Sequence, residues 1–137
     1  MADHERALRI LGPLLAIAVA ASIVHYADNY LNYDDFPQAT TLPNPSRGLV
    51  LGAWFAFTTA GLAGYALFRQ TGSQLSLILL AFYSGSGLVG IGHYLVPEAT
   101  SMPWWRHAHV GFDIVSGAAV LGFAFWVIRG RAATSDA

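Results

Sequence analysis

The chain has 137 residues, of which 55% are hydrophobic and only 11% are charged. A soluble globular domain carries about 25% charged residues, so this composition excludes an ordinary soluble domain and favours an integral membrane protein. The formal net charge of -1 argues against nucleic acid as a partner. The sequence contains no cysteine, which excludes disulfides, thiolate metal ligands and thiol nucleophiles.

Apolar runs divide the chain into four segments, each near the roughly 20 residues that a helix needs to cross a bilayer. Short links join most of them, so neighbouring helices are expected to run antiparallel. The sequence therefore predicts an all-α integral membrane protein of four antiparallel transmembrane helices. The predicted spans lie at about 7–26, 49–68, 75–96 and 104–128, within one domain that covers residues 1–137.

A polar and aromatic stretch, His25–Gly48, separates the first two spans. Its three prolines prevent a continuous helix, so we predict a long irregular loop between the first two helices. Loops of this length without secondary structure tend to be functional or disordered. The prolines are Pro37, Pro43 and Pro45.

The arginines predict the orientation of the chain. Five of them flank one side of the predicted bundle, whereas only Arg47 and Arg106 flank the other. The positive-inside rule then places the N- and C-termini in the cytoplasm of a multi-pass membrane protein. The long loop between the first two helices is therefore predicted to be extracytoplasmic.

Four of the five histidines fall in one layer at the outer ends of the predicted spans. His25 closes the first span and His93 lies near the end of the third, while His107 and His109 open the fourth. This clustering depends only on the number of spans and not on any motif. A single interfacial histidine needs no functional explanation, but four in one layer predict a shared site.

Asp113 is the carboxylate that lies deepest in the fourth span. At the centre of a spanning helix an aspartate costs roughly 2.5–3.5 kcal/mol on insertion scales, so it needs a partner or a function. His109 is four residues earlier and faces the same way on a helix, which makes it the predicted partner. Arg106 lies about two turns away and is a second candidate.

Imidazole nitrogens and carboxylate oxygens together suit zinc, copper or iron, and facing helices of a bundle commonly supply such ligands. No short-range motif such as H-E-x-x-H accompanies them. The predicted metal ligands are His25, His93, His109 and Asp28. The predicted catalytic residues are Asp113, as a base or an orienting group, and His107, as a proton shuttle at the rim.

A run of small residues, 84–92, precedes His93 in the third span. Small residues usually let neighbouring helices approach closely, and this is their expected role here. The same small residues would also leave room for a haem, with His93 and either His25 or His109 as axial ligands.

These observations predict a small polytopic membrane protein with a His/Asp-lined site at its extracytoplasmic end. The site is expected to bind a transition metal and to act on a lipid-soluble or small substrate. The alternatives are a b-type haem electron carrier and a non-catalytic membrane subunit or ligand-binding module. Apart from the lipid bilayer, the expected partners are further copies of the chain or a larger membrane complex.

Overall fold

The computed structural model describes residues 2–41 and 43–135, so the predicted domain 1–137 extends beyond it at residues 1, 42, 136 and 137. All regular elements within these ranges are helical. Two short 3₁₀ turns, Tyr33–Asp35 and Ala99–Ser101, lie in the connections, and a longer 3₁₀ segment spans Val89–Tyr94. The α-helices of the described chain are α1 (Ala2–Leu31), α2 (Arg47–Thr71), α3 (Gln74–Leu88) and α4 (Trp104–Ser135).

Four helical stretches of the described chain are long enough and apolar enough to cross a membrane, as the sequence predicts. Their most apolar windows have mean hydropathies between 1.4 and 2.2. Large apolar side chains such as Phe55 and Val115 are exposed on the outside of the bundle, which is typical of helices that face lipid. The stretches are His4–Leu31, Arg47–Thr71, Gln74–Tyr94 and Trp104–Ala133.

Helix α1 continues beyond the predicted start of the loop at His25. It is helical to Leu31, and the prediction of an irregular chain from His25 onward is wrong over these residues. No proline lies between Pro13, which is inside the helix, and Pro37, and the Asn32 backbone N–H still donates to the Asp28 carbonyl. The extra turns place the last polar residues of α1 on a rigid helix rather than on a loop.

The third predicted span, 75–96, is α-helical only as far as Leu88. Beyond it the chain tightens into the 3₁₀ segment Val89–Tyr94, which contains two glycines and ends just after His93. Glycine is a weak α-helix former, and a 3₁₀ helix turns faster per residue than an α-helix. A Cβ at Gly90 would lie 3.2 Å from the His25 ring, so the segment packs closely on α1.

Small residues bring the backbones of α3 and α4 into contact. A Cβ at Gly87 would collide with the backbone carbonyl oxygen of Asp113, and one at Gly117 would lie 2.7 Å from the carbonyl oxygen of Ser84. The close-packing role predicted for the run of small residues is therefore confirmed. This approach fixes the position of Asp113 relative to the 3₁₀ segment that carries His93.

An apolar core lies away from the histidine layer and joins α1, α2, α3 and α4. Its most deeply buried members include Leu11, Phe68, Leu80, Tyr83 and Val120. In lipid, tight packing rather than expulsion of water holds such a core together. The core thus anchors the helices whose other ends carry the polar residues.

Candidate functional site

The centre of the site is a buried hydrogen bond between α1 and α4. The Nδ1 atom of His25 lies 2.7 Å from Oδ2 of Asp113. Only 2% of His25 and 1% of Asp113 are exposed. One hydrogen lies between these two atoms, on Nδ1 when Asp113 is ionised, and the bond fixes the direction of the His25 ring.

The opposite nitrogen of His25 points at a second histidine. Its Nε2 atom lies 3.2 Å from Nε2 of His93, which the 3₁₀ segment carries. The Nδ2 amide nitrogen of Asn29, one turn after His25 on α1, lies 3.0 Å from the same Nε2 atom of His93. Three helical elements therefore bring Asp113, His25, His93 and Asn29 into one chain of contacts.

This arrangement requires a hydrogen between the two rings. The Asn29 amide nitrogen can only donate, so Nε2 of His93 accepts and presents a lone pair. A neutral His25 that donates from Nδ1 to Asp113 would present a second lone pair from Nε2, and two lone pairs at 3.2 Å repel each other. A hydrogen on Nε2 of His25 removes the conflict, and it fits either an imidazolium His25 beside the Asp113 carboxylate or a protonated Asp113 that donates to Nδ1 of His25. A metal ion in the same position would also remove it.

A second polar cluster lies beside the first and is built around Arg106 of α4, of which only 4% is exposed. Its guanidinium donates to both oxygens of Asp28 on α1, at 2.8 and 3.2 Å. It also donates to the backbone carbonyl of Asp35, at 3.2 Å. Nε2 of His109 lies 3.1 Å from the same Asp28 carboxylate. Paired and hydrogen-bonded in this way, the buried charges balance each other.

Aromatic rings enclose the guanidinium of Arg106. Its Cζ atom lies 4.4 Å from the centre of the Phe36 ring and 4.9 Å from that of Trp105, within the range of cation–π contact. The Phe36 ring also packs at 4.8 Å, centre to centre, on the ring of His93. Phe36 therefore ties the connection after α1 to both polar clusters.

A cavity of about 540 Å³ adjoins the pair of histidines. Ligand pockets commonly enclose roughly 300–1,000 Å³, so it is large enough for a small organic molecule. One end is polar and includes His25, His93 and Asn29, while apolar side chains of α2 and the 3₁₀ segment form much of the remaining wall. Residues of the loop between α1 and α2, among them Pro37, cover it.

The predicted pairing of Asp113 with His109 is wrong. Asp113 contacts His25 of α1, and His109 contacts Asp28 of the same helix. The two residues share a face of α4, as the spacing predicts, but α1 offers each of them a closer partner. The Nδ1 atom of His109 is buried and has no hydrogen-bond partner among the described residues.

His107 lies apart from this chain of contacts. Its ring stacks on that of Tyr94, with the ring centres 5.7 Å apart, and its Nδ1 atom lies 3.4 Å from the Tyr94 hydroxyl. It does not belong to the cavity lining in the described chain. Its predicted part as a proton shuttle at the rim therefore has no support in the geometry.

The predicted metal ligands do not converge on a common centre. Within residues 2–41 and 43–135, no group of three or more His, Cys, Asp or Glu side chains is placed to hold a metal ion. Both oxygens of Asp28 accept from Arg106, and Nε2 of His109 faces Asp28. Ligation of a metal ion by His25, His93, His109 and Asp28 thus stays a prediction. The identity of that metal as zinc, copper or iron and the alternative of a haem also stay predictions.

Sequence reasoning missed Asn29 and Phe36, and it considered Arg106 only as a partner of Asp113, whereas Arg106 binds Asp28. Asn29 is four residues after His25 and shares its helix face. The spacing predicts this relation once α1 is known to continue beyond His25. Arg106 lies in the first turn of α4 beside two tryptophans, which is typical of an interfacial residue, although it is buried. Phe36 lies in the loop, where no periodicity indicates its position.

Comparison of the chain with protein-family models, with curated proteins and with solved structures gives no match.

Proposed function

We propose that this protein is an integral membrane protein that binds a neutral, lipid-soluble small molecule in its cavity and presents to it the proton shared by His25 and His93. The observation that carries the proposal is the meeting of the two Nε2 atoms at 3.2 Å, at the polar end of the cavity. The buried carboxylate of Asp113 lies directly behind one of them.

The shared proton makes the pair a general acid for a bound molecule. When an acceptor atom of the ligand lies within about 2.6–3.2 Å, the N–H bond of His25 can break while a new bond to hydrogen forms on the ligand. The electron pair of that N–H bond stays on His25, which becomes neutral. The two facing lone pairs that result favour return of the proton, so the same pair then acts as a base.

Asp113 has a positioning role in this proposal. It holds the His25 ring so that Nε2 points at His93, and its negative charge stabilises the imidazolium form. Asn29 has a comparable role for His93, because its amide nitrogen donates to Nε2 and keeps that atom an acceptor. Neither residue needs to contact the ligand.

The placement in the membrane follows from the four apolar stretches and the arginines. We place the bundle across the bilayer with both termini in the cytoplasm, which puts the cavity near the extracytoplasmic surface. The exposed apolar side chains then face lipid, and the polar loop between α1 and α2 faces water.

Prodan, a neutral naphthalene with a dimethylamino and a propionyl group, is a direct probe of the proposal. Its fluorescence moves to longer wavelength when its carbonyl accepts a hydrogen bond. We expect the purified protein in lipid nanodiscs to bind Prodan and to shift its emission to longer wavelength. His93→Leu should abolish this shift, because no proton is then shared at the cavity end.

His4→Gln is the matched control, since His4 packs against Phe68 in the apolar core region and does not line the cavity. It should bind and shift Prodan like the unchanged protein. Failure of Prodan to bind overturns the proposed binding function. Binding with the same emission in His93→Leu as in the unchanged protein overturns the role of the shared proton.

A further inference from the structure

The structure points to a more specific ligand class, and this inference rests on the proposed function. We propose that the ligand is a neutral amphiphile whose hydrogen-bond-accepting head group lies at His25 and His93. Its apolar tail leaves the cavity sideways, between the start of α2 and the 3₁₀ segment, and extends into the lipid. The cavity would then take its ligand from the membrane rather than from water.

The charge of the cavity wall argues for a neutral head group. None of the described residues that line the cavity is Asp, Glu, Arg or Lys. The Arg106 guanidinium, close by, is already occupied by the carboxylate of Asp28 and the carbonyl of Asp35. Any positive charge on His25 is already offset by Asp113, so a phosphate or carboxylate head group would lose its hydration without gaining an unpaired positive partner.

Where the tail would leave, α2 and the 3₁₀ segment pack mainly on other helices rather than on each other. Helix α2 packs on α1 and α3, whereas the 3₁₀ segment packs on α3 and α4. Leu49 on α2 and Val89 on the 3₁₀ segment both line the cavity, yet they are 61% and 55% exposed. Both residues lie in stretches that are apolar enough to cross a membrane. The cavity thus has an apolar side opening at a surface suited to lipid.

The cover of the cavity is held in place by its own hydrogen bonds. The hydroxyl of Tyr33 donates to the carbonyl of Pro45. The side chain of Asn44 both accepts from the backbone N–H of Ala39 and donates to its carbonyl, at 2.8 and 3.1 Å. Because proline restricts the backbone of this loop as well, movement of the loop away from the cavity requires several contacts to break. The side opening requires none of them to break.

Prodan and Laurdan provide a matched pair of probes, because Laurdan has the same chromophore with a lauroyl chain in place of the propionyl chain. A side opening into lipid accommodates the longer tail. We therefore expect both probes to bind with affinities within about threefold when each is expressed per mole fraction in lipid. Energy transfer from tryptophan to the probe, measured in nanodiscs, gives these affinities.

A substitution at the opening tests the route directly. A Cβ at Gly92 would meet no atom within 4 Å, so a side chain there projects into open space at the edge of the cavity. Gly92→Phe should weaken Laurdan binding by at least about tenfold. Gly122→Phe is the control, because a Cβ at Gly122 also meets nothing within 4 Å and Gly122 does not line the cavity. Val89→Trp tests the same edge if Gly92→Phe does not fold.

The outcomes separate this inference from the proposed function. If Prodan binds and shifts but Laurdan binds at least about tenfold more weakly, the cavity does not open into lipid and this inference is wrong. Equal Laurdan binding by Gly92→Phe, Val89→Trp and Gly122→Phe also contradicts the side opening. If neither probe binds, the proposed function itself fails.

Discussion

Asp113 and His25 lie 88 positions apart in the chain, yet a hydrogen bond of 2.7 Å joins them inside the bundle. This one contact connects the last helix to the first and determines where the free nitrogen of His25 points. Its consequences can be separated into charge and hydrogen bonding, because asparagine keeps the second without the first.

We expect Asp113→Asn to retain the fold and to bind Prodan, because the amide oxygen still accepts from His25. The shift of Prodan emission should diminish, since no negative charge then stabilises the imidazolium form. Asp113→Leu leaves a buried donor without a partner and should lower the free energy of unfolding by about 1–3 kcal/mol. Reversible unfolding in mixed micelles and Prodan emission measure the two effects. Identical behaviour of both variants would show that Asp113 only fills space.

Arg106→Leu should be strongly destabilising, by about 3–5 kcal/mol, because it leaves the nearly buried carboxylate of Asp28 without its main cation. Arg47→Leu is the matched control. Arg47 pairs with Asp34 at the surface, where both side chains are exposed, so its loss should cost about 0–1 kcal/mol. Thermal unfolding of the two variants side by side measures the difference. A similar loss of stability in both would contradict the buried network.

Gly87→Ala should destabilise the protein by about 1–3 kcal/mol, because the new methyl group would collide with the backbone of Asp113. It should also reduce the Prodan shift by moving Asp113 away from His25. In contrast, Gly122→Ala meets open space and should stabilise its helix by roughly 0.5–1 kcal/mol. Unfolding measurements on both variants test the contact between α3 and α4.

Elemental analysis tests whether His25 and His93 share a proton or a metal ion. Protein purified without a polyhistidine tag is expected to contain less than one equivalent of zinc, copper or iron, and EDTA should leave the Prodan shift unchanged. One equivalent of metal, together with loss of the shift after chelation, would make the shared cation a metal ion. His25 and His93 would then be its ligands, with Asp113 orienting His25.

Single cysteines report the orientation, because the chain contains none of its own. Thr40, Thr100 and Thr71 are exposed in the structure and lie in or beside the connections between helices. Cysteine at Thr40 or Thr100 should react with a membrane-impermeant maleimide added to intact cells, and cysteine at Thr71 should not. The opposite pattern would place the cavity at the cytoplasmic surface.

The histidine layer was predictable because the positions of its histidines along the bundle depend only on where the apolar runs begin and end. His25 and His93 do meet, as the number of spans implied. The partner of Asp113 was not predictable in the same way. Helix periodicity shows that His109 and Asp113 share a face, but the residue opposite that face depends on how far α1 extends and how α1 packs on α4. The cavity depends on how α2, the 3₁₀ segment and the loop after α1 pack together. No periodic pattern in the sequence predicts this packing.

The 3₁₀ segment also determines the direction of His93. A 3₁₀ helix advances by about 120° per residue and an α-helix by about 100°, so the difference is about 20° per residue. From Val89 to His93, four residues further on, it amounts to about 80°. If the segment relaxed into a continuation of α3, the His93 ring would swing away from His25 and the cavity. The 3₁₀ geometry of this segment is therefore what holds the two imidazoles together.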